Sequence, residues 1–335
     1  MSPLREPPRI VALGGGHGLA ATLAAARQLT SELAAIVTVA DDGGSSGQIR
    51  RELDVLPPGD LRMALAALAG STTEHDDMAT LFQHRFGGSG ALAGHPVGNL
   101  LITGLLEVFA GEPVRALDTA GGLIGAVGRV LPMSTIPLEI TAWVDEIGAC
   151  DPLARKLVRG QVAVATTPGR VHSVQLVPEA PPACPEAVAA VEAADVVILG
   201  PGSWFTSVLP HLLVPDLLEA LVRTSAYVVV VLNLEPQAGE TEGFSPQEHL
   251  SVLRAHAPGL PVHTVLADAA RVVDRRGLLN AVQALRKDDG PVPSLVLRPV
   301  AMSGAEDRHD TRLLAAALDQ VIACARRTEE QHVWP

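Results

Sequence analysis

The chain has 335 residues, of which 47% are hydrophobic, 19% are charged and 3% are aromatic, and its formal net charge is −12. This length suits one large α/β domain or two smaller ones. The acidic surface disfavours nucleic acid and anionic membranes as partners, although backbone N–H groups can bind a phosphate locally.

The first eight residues are polar and proline-rich, and they lack the apolar stretch of a signal peptide. No uninterrupted apolar run reaches the roughly 18 residues of a membrane helix. Cys150, Cys184 and Cys324 lie far apart, a spacing that predicts free thiols rather than a disulfide framework or a zinc site. We therefore expect a cytoplasmic protein with no membrane insertion.

The first 40 residues follow a strand–helix–strand pattern. Residues 9–13 and 33–40 are short apolar runs typical of buried strands, and residues 19–29 are rich in Ala and Leu. Such a βαβ unit implies parallel strands. Helical segments follow at residues 60–69, 78–86 and 99–110.

The pattern then changes and later returns. Alternating polar and apolar residues predict antiparallel strands at residues 138–144, 160–165 and 170–177. Further buried strands are predicted at 195–199, 226–234 and 262–267, with helices at 187–194 and 313–325. The predicted fold is α/β and Rossmann-like: a mainly parallel sheet flanked by helices, with a β-rich insertion. Residues 1–130 and 181–335 would form one Rossmann-like domain, with 131–180 as the insertion.

A glycine-rich turn follows the first predicted strand. Its residues are Gly14, Gly15, Gly16, His17 and Gly18. From Gly16 to Ala21 the sequence matches Gly-x-Gly-x-x-Ala, which in a strand–turn–helix context favours diphosphate binding at the helix N-terminus. His17 could equally be a ligand contact or a structural turn residue.

A second polar segment follows the second strand. It contains Asp41, Asp42, Gly43, Gly44, Ser45 and Ser46. Asp41 lies where Rossmann proteins place an acid for a ribose hydroxyl, and two adjacent acids could instead hold a metal ion. The glycines and serines supply donors for an anion.

Two further segments carry two candidates each. Asp60 is placed to cap a helix, and Arg62 in its first turn opposes the helix dipole and so needs a partner elsewhere. His95 precedes Asn99, which is predicted as an N-cap.

A second glycine turn follows the strand at 195–199. Its candidates are Gly200, Gly202, Ser203, Thr206 and Ser207. Two such turns are expected on either side of a topological switch point, and Asn233, at the end of the next strand, would face the same crevice. Arg308 lies in a charged segment near the C-terminus. No nucleophile with an adjacent base is visible.

Together these motifs resemble the YvcK-type gluconeogenesis factors. The strings that carry the resemblance are GGGHGL at 14–19, IVTVADDGGSSG at 36–47, PPGDLR at 57–62, LFQHRF at 81–86, GH and GNLL at 94–95 and 98–101, VGRVLP at 127–132, GPGSWFTSVLP at 200–210 and GET at 239–241. His17 departs from the threonine expected in the family's turn, and Met63 departs from a common asparagine.

The resemblance implies a cytoplasmic regulator of cell shape and of growth on gluconeogenic carbon sources that binds UDP-sugars, notably UDP-N-acetylglucosamine. The glycine turns would hold the diphosphate, while Asn99, Ser203 and Thr206 would orient the sugar or phosphates and Arg308 would pair with a phosphate. The relationship to CofD implies the alternative, a Mg²⁺-dependent 2-phospho-L-lactate transferase acting on a deazaflavin, with Asp41 and Asp42 holding Mg²⁺. Apart from this Mg²⁺, no cofactor is expected. A nicotinamide-dependent dehydrogenase is a third, less favoured hypothesis. We also expect a homodimer, because the apolar helix at 99–110 offers a face for one.

Overall fold

In the computed structural model, which describes residues 7–148, 151, 153–237, 239–287 and 290–332, seven parallel strands form the central sheet. The strands, in chain order, are β1 (Ile10–Gly14), β2 (Leu33–Val37), β3 (Arg129–Pro132), β4 (Glu139–Asp145), β5 (Arg155–Arg159), β6 (Val171–Val177), β7 (Val196–Leu199), β8 (Tyr227–Val231), β9 (Val262–Asp268), β10 (Ser294–Arg298), β11 (Ala301–Met302) and β12 (Ala305–His309). The central sheet has the order β10-β9-β8-β7-β1-β2-β3. The predicted parallel sheet is confirmed.

Helices flank this sheet. They are α1 (Gly16–Ala26), α2 (Gly44–Leu53), α3 (Pro58–Ala67), α4 (Thr73–Gln83), α5 (Val97–Val108), α6 (Pro113–Leu123), α7 (Gln161–Ala165), α8 (Pro185–Ala193), α9 (Pro215–Arg223), α10 (Pro246–His256), α11 (Arg275–Gln283) and α12 (Thr311–His332). Two short helical turns, a π-helical one at Trp204–Val208 and a 3₁₀ one at Leu209–Leu213, follow Gly202.

The inner strands are apolar along their whole length because they are covered on both faces. All five residues of β1 are buried, as are all four of β7 and the last four of β8. Continuous apolar runs are typical of parallel strands between helical layers. The buried strands therefore form the apolar centre of the sheet, and the polar groups lie at the strand ends.

The switch point of the sheet lies between β1 and β7. From β1 the chain continues to β2 on one side, whereas β7 leads to β8 on the other. Crevices at the carboxyl ends of such strands are where ligands of open α/β sheets bind. Both glycine turns follow these two strands, so they flank one crevice.

The β-rich insertion is a three-stranded antiparallel sheet of order β5-β4-β6. The strand predicted at residues 160–165 is wrong, because that segment is helix α7. The Asp42 carboxylate accepts a hydrogen bond from the Val162 N–H at 2.9 Å and so caps this helix from a distant part of the chain.

Two predicted helix caps are also wrong. Helix α3 begins at Pro58 after Pro57, so Asp60 lies inside its first turn; α5 begins at Val97 after Pro96, so Asn99 is likewise inside. Pro58, at the first position of α3, has a φ preset for a helix and no backbone N–H that would need a capping acceptor. The Asp60 and Asn99 side chains are therefore available for contacts elsewhere.

No single helix in the described ranges is both long and apolar enough to cross a membrane; one bent pair, Trp204–Leu213 with Pro215–Arg223, meets the criterion by length and composition only. Cys184 is a buried free thiol, and Cys324 is exposed. Cys150 lies outside the described residues.

Candidate functional site

The two glycine turns lie against each other. A Cβ atom on Gly18 would overlap the carbonyl oxygen of Pro201 and would lie 2.7 Å from Cα of Gly202. Both obstacles are backbone atoms, which cannot rotate away. Only glycine at position 18 lets the start of α1 pack against the turn that follows β7.

Helix α1 begins at this contact, and its N-cap residue, Gly15, provides no side-chain cap. The first N–H groups of a helix have no partner within the helix, and the helix dipole makes that end positive. Asp60 accepts a hydrogen bond from the Gly16 N–H. His17, the next residue, is exposed.

Helix α2 is the second helix that starts at the crevice, and its N-cap residue, Gly43, likewise provides no side-chain cap. Asp41 accepts a hydrogen bond from the Gly43 N–H at 2.9 Å and another from the Ser46 side chain. The start of α3 packs tightly here, because a Cβ on Gly59 would overlap Ser46 Oγ and lie 2.7 Å from Asp41 Oδ2.

Asp60 joins Asp41 and Asp42 in a set of interacting carboxylates at the crevice. Burial, followed by the negative charge of Asp41, raises the pKa of Asp60 to about 7. Burial also raises the pKa of Asp41, with a further contribution from the charge of Asp42. The Asp42 carboxylate itself is turned toward α7, whose first turn it caps.

A relay of polar side chains joins three of the predicted segments. Arg62 Nε donates to Asn99 Oδ1 at 2.9 Å, and Asn99 Nδ2 donates to Ser45 Oγ at 3.0 Å. Ser45 Oγ also lies 2.8 Å from Nδ1 of His95. Arg62, Asn99 and His95 are buried, so the relay fixes Ser45 in the first turn of α2.

A second arginine, Arg85, lies near the relay, and the sequence patterns did not single it out. Burial, and then the positive charge of Arg85, lower the pKa of Arg62 to about 10. Arg85 Nη1 donates to the Gly94 carbonyl at 2.8 Å. The only sequence signal for Arg85 is its place in the LFQHRF string.

Asn233 holds the second glycine turn in place. Its side chain accepts from the Gly202 N–H and donates to the Gly202 carbonyl, each at 2.8 Å. Thr22 of α1 donates to the Gly200 carbonyl at 3.1 Å. The Gly202 N–H, predicted as a phosphate donor, is therefore already engaged within the protein.

Glu240 organises the hydroxyl groups after that turn. Its buried carboxylate accepts from Ser203 Oγ and from the Thr206 N–H, the latter at 2.8 Å. Thr206 Oγ1 in turn donates to Ser203 Oγ at 2.7 Å. Burial raises the pKa of Glu240, against the lowering effect of these donors. The GET string at 239–241 was the sequence signal for this residue.

The other two candidates lie at the edges of the crevice. Ser207 Oγ would be 3.3 Å from a Cβ on Gly15, so this hydroxyl borders the first turn. Arg308 is exposed on the β11–β12 hairpin, next to His309, which hydrogen-bonds the backbone of Leu232 just after β8.

The described residues contain no group of three or more His, Cys, Asp or Glu side chains placed to hold a metal ion. Asp41 and Asp60 nevertheless supply two carboxylates at one place. Mg²⁺ is commonly bound by one or two carboxylates together with substrate phosphates and waters. The donor set therefore fits a magnesium ion that arrives with a phosphate ligand.

The family described as "2-phospho-L-lactate transferase CofD" matches residues 10–289. The chain belongs to the CofD family. It is 57% identical over 318 residues to a Mycobacterium tuberculosis protein named "Putative gluconeogenesis factor", covering 95% of this chain and 90% of that protein. A Mycobacterium leprae protein of the same name is 56% identical over 319 residues, covering 94% and 86%.

A crystal structure of a UPF0052 family member from Bacillus halodurans is similar over the whole fold. Its TM-score is 0.78 at 30% identity, and the match covers 95% of this chain and 99% of that one. These findings confirm the predicted resemblance to the gluconeogenesis factors and the predicted fold.

Proposed function

We propose that this CofD-family protein is a cytoplasmic regulator of central carbon metabolism and cell shape that binds a nucleotide sugar similar to UDP-N-acetylglucosamine. The observation that carries the proposal is the direct contact of two glycine turns at the switch point, beside two helices whose N-cap residues are glycines. Helix N-termini of this kind bind diphosphates through backbone N–H groups.

The two turns have different roles in this proposal. The first turn and the start of α2 supply N–H donors to the diphosphate. The second turn, whose Gly202 is held by Asn233, is a rigid wall that sets the width of the crevice. Ser203 and Thr206 are oriented by Glu240, so they bind a ligand only in the arrangement which that carboxylate imposes.

Ser45 is the side chain through which the relay would reach the ligand. Ser45 lies in the first turn of α2, where Asn99 and His95 hold its hydroxyl group. Replacing Ser45 by alanine removes a hydroxyl at the anion-binding helix start and leaves the Asn99 amide without its acceptor. We expect a weakening of binding by about tenfold, the effect of one lost hydrogen bond at roughly 1.4 kcal/mol.

Calorimetric titration and thermal unfolding with UDP-N-acetylglucosamine test the proposal. A ligand at 100 times its dissociation constant stabilises the native state by about 2.7 kcal/mol. Ser251→Ala is the matched control, since this α10 hydroxyl is exposed and donates only to the Gln247 carbonyl. The proposal fails if millimolar ligand neither releases heat nor raises the melting temperature of the unmodified chain.

The second candidate is a CofD-like transfer of a phospholactyl group to a deazaflavin. The family match and the Asp41–Asp60 pair favour it. Mg²⁺ bound by these carboxylates would neutralise charge on the transferring phosphoryl group. The acceptor hydroxyl oxygen would bond to phosphorus as the donor's leaving group departs, and the hydroxyl proton would pass to solvent. Mass spectrometry of deazaflavin incubated with activated phospholactate and Mg²⁺ decides, because absence of the product rejects this candidate.

We also propose that the protein is a homodimer. The apolar helix α5, with Val108 73% exposed at its end, is the face from which this proposal starts. Light scattering coupled to size exclusion measures the mass directly. A mass near 34.8 kDa, that of one chain, at micromolar concentration would reject the dimer.

A further inference from the structure

Two arginines, Arg62 and Arg85, lie near each other and act on each other through their charges. Arg62 on α3 is only 5% exposed, and its one hydrogen bond among the described residues runs from Nε to Asn99. Its two Nη groups make none. Arg85 is exposed just after α4, and one of its Nη groups is held by the Gly94 carbonyl. Neither arginine forms an ion pair in the part of the chain that the structure describes.

Local packing brings the two arginines together. Arg85 pairs with Pro96 as an antiparallel bridge, and Pro96 directly precedes α5. A Cβ on Gly98, in the first turn of α5, would lie 2.9 Å from Arg62 Cγ and 2.8 Å from the Phe82 carbonyl. The end of α4, the start of α5 and the Arg62 side chain thus share one small volume.

This arrangement concentrates positive charge. The Arg85 charge acts on Arg62 more strongly than the charge of Asp60 or of Asp41 taken singly, each of which acts in the opposite direction. The N-terminus of α5, uncapped by any described side chain, adds its dipole at the same place. Holding a buried guanidinium next to a like charge costs free energy, and a bound anion would reverse that cost.

We propose that Arg62 and Arg85 form a second anion subsite, which binds a carboxylate or a phosphate of the ligand apart from the diphosphate at the glycine turns. The inference rests on the proposed function and deepens it. The preferred ligand is then a nucleotide that carries a third acidic group, such as an acidic nucleotide sugar. Two guanidinium groups suit an oxyanion because each can donate two parallel hydrogen bonds.

Two pairs of ligands show whether the subsite binds a carboxylate or a phosphate. UDP-glucuronate differs from UDP-glucose only by a carboxylate in place of a hydroxymethyl group, and UTP differs from UDP only by a terminal phosphate. We expect the acidic member of at least one pair to bind about tenfold more tightly in calorimetric titrations at constant ionic strength. The pair that shows the preference identifies the group.

Variants connect the preference to this subsite. Arg85→Gln removes an exposed charge and leaves the buried relay intact, so the chain should fold, and we expect the preference to fall to about twofold or less. Arg85→Lys should retain part of it. Arg223→Gln is the control, because this exposed arginine on α9 pairs only with Glu219. The preference should survive there.

The outcomes distinguish the inference from the proposed function. Equal affinities within both pairs, or a preference that persists in Arg85→Gln, overturn the second subsite while leaving nucleotide-sugar binding intact. If neither these four ligands nor UDP-N-acetylglucosamine binds, both the proposed function and the subsite are rejected. A preference that is lost in Arg85→Gln and kept in Arg223→Gln supports the subsite.

Discussion

Replacing Gly18 by alanine tests whether the two glycine turns depend on direct backbone contact. The added Cβ would overlap the Pro201 carbonyl oxygen and lie 2.7 Å from Gly202 Cα. Overpacking of a close-packed site costs about 1–3 kcal/mol. Because the obstacles here are backbone atoms of a turn that Asn233 clamps, we expect a cost near the upper end, about 3 kcal/mol.

The helix propensity of alanine acts in the opposite direction and must be separated from this cost. Gly104→Ala is the matched control, since Gly104 is an exposed residue of α5 whose added Cβ meets nothing within 4 Å. Alanine there should stabilise the protein by about 0.5–1 kcal/mol. Urea unfolding measures both variants, and the gap between them isolates the overlap. If the two free energies of unfolding agree within about 0.5 kcal/mol, the contact between the turns is not as described.

Three further substitutions probe side chains that support the crevice. Asp60 has a pKa of about 7 in the folded protein against about 3.9 unfolded. The native state therefore binds more protons between those values, and stability should fall as pH rises from about 4 to 7. In urea unfolding, Asp60→Asn should flatten this dependence of stability on pH. In the unmodified chain, Mg²⁺ should raise the melting temperature more at pH 8 than at pH 5. The same difference should appear in the control Asp42→Asn and be absent in Asp60→Asn. Glu240→Gln places an amide group against donors and should cost about 1–3 kcal/mol, whereas the exposed neighbour Glu242→Gln should cost little; equal effects would contradict the role of Glu240. Asn233→Ala leaves both Gly202 backbone groups without their partner and should cost about 1–3 kcal/mol by the same measurement, against no change for the exposed Asn280→Ala.

The centre of the sheet was predictable from sequence because burial leaves a local signature. Strands β1, β7 and β8 are uninterrupted apolar runs that end at glycine or asparagine, and such runs have few alternatives to a buried parallel strand. Strand β10, partly exposed along its middle, and β12, which carries charged residues, give no such signal and were not predicted. The insertion was located by its alternating polar and apolar residues. The Val-Ala-Val-Ala residues of α7 were mistaken for the same strand pattern.

The roles of single polar residues were harder to predict, since they depend on contacts between distant parts of the chain. Asp42 was assigned to the crevice by its neighbour Asp41, yet its carboxylate caps a helix 120 positions away. Asn99 was predicted as the N-cap of the helix that follows it, yet it lies inside α5 and links Arg62 to Ser45. A sequence pattern identifies which residues are polar at a strand or helix end, whereas tertiary packing decides which way each one turns.

Three backbone N–H groups at the crevice already donate hydrogen bonds within the protein, which affects how a phosphate can bind there. Asp60 accepts from Gly16, Asp41 from Gly43 and Asn233 from Gly202, so these three amides already have acceptors. Two of those acceptors are carboxylates, which would repel an arriving phosphate. Either protonation of Asp60, favoured below about pH 7, or a cation between the carboxylates and the phosphate removes that repulsion. Nucleotide affinity should therefore rise with added Mg²⁺ at pH 8 and depend less on Mg²⁺ at pH 5, and an affinity indifferent to both would mean that the phosphate binds away from Asp41 and Asp60.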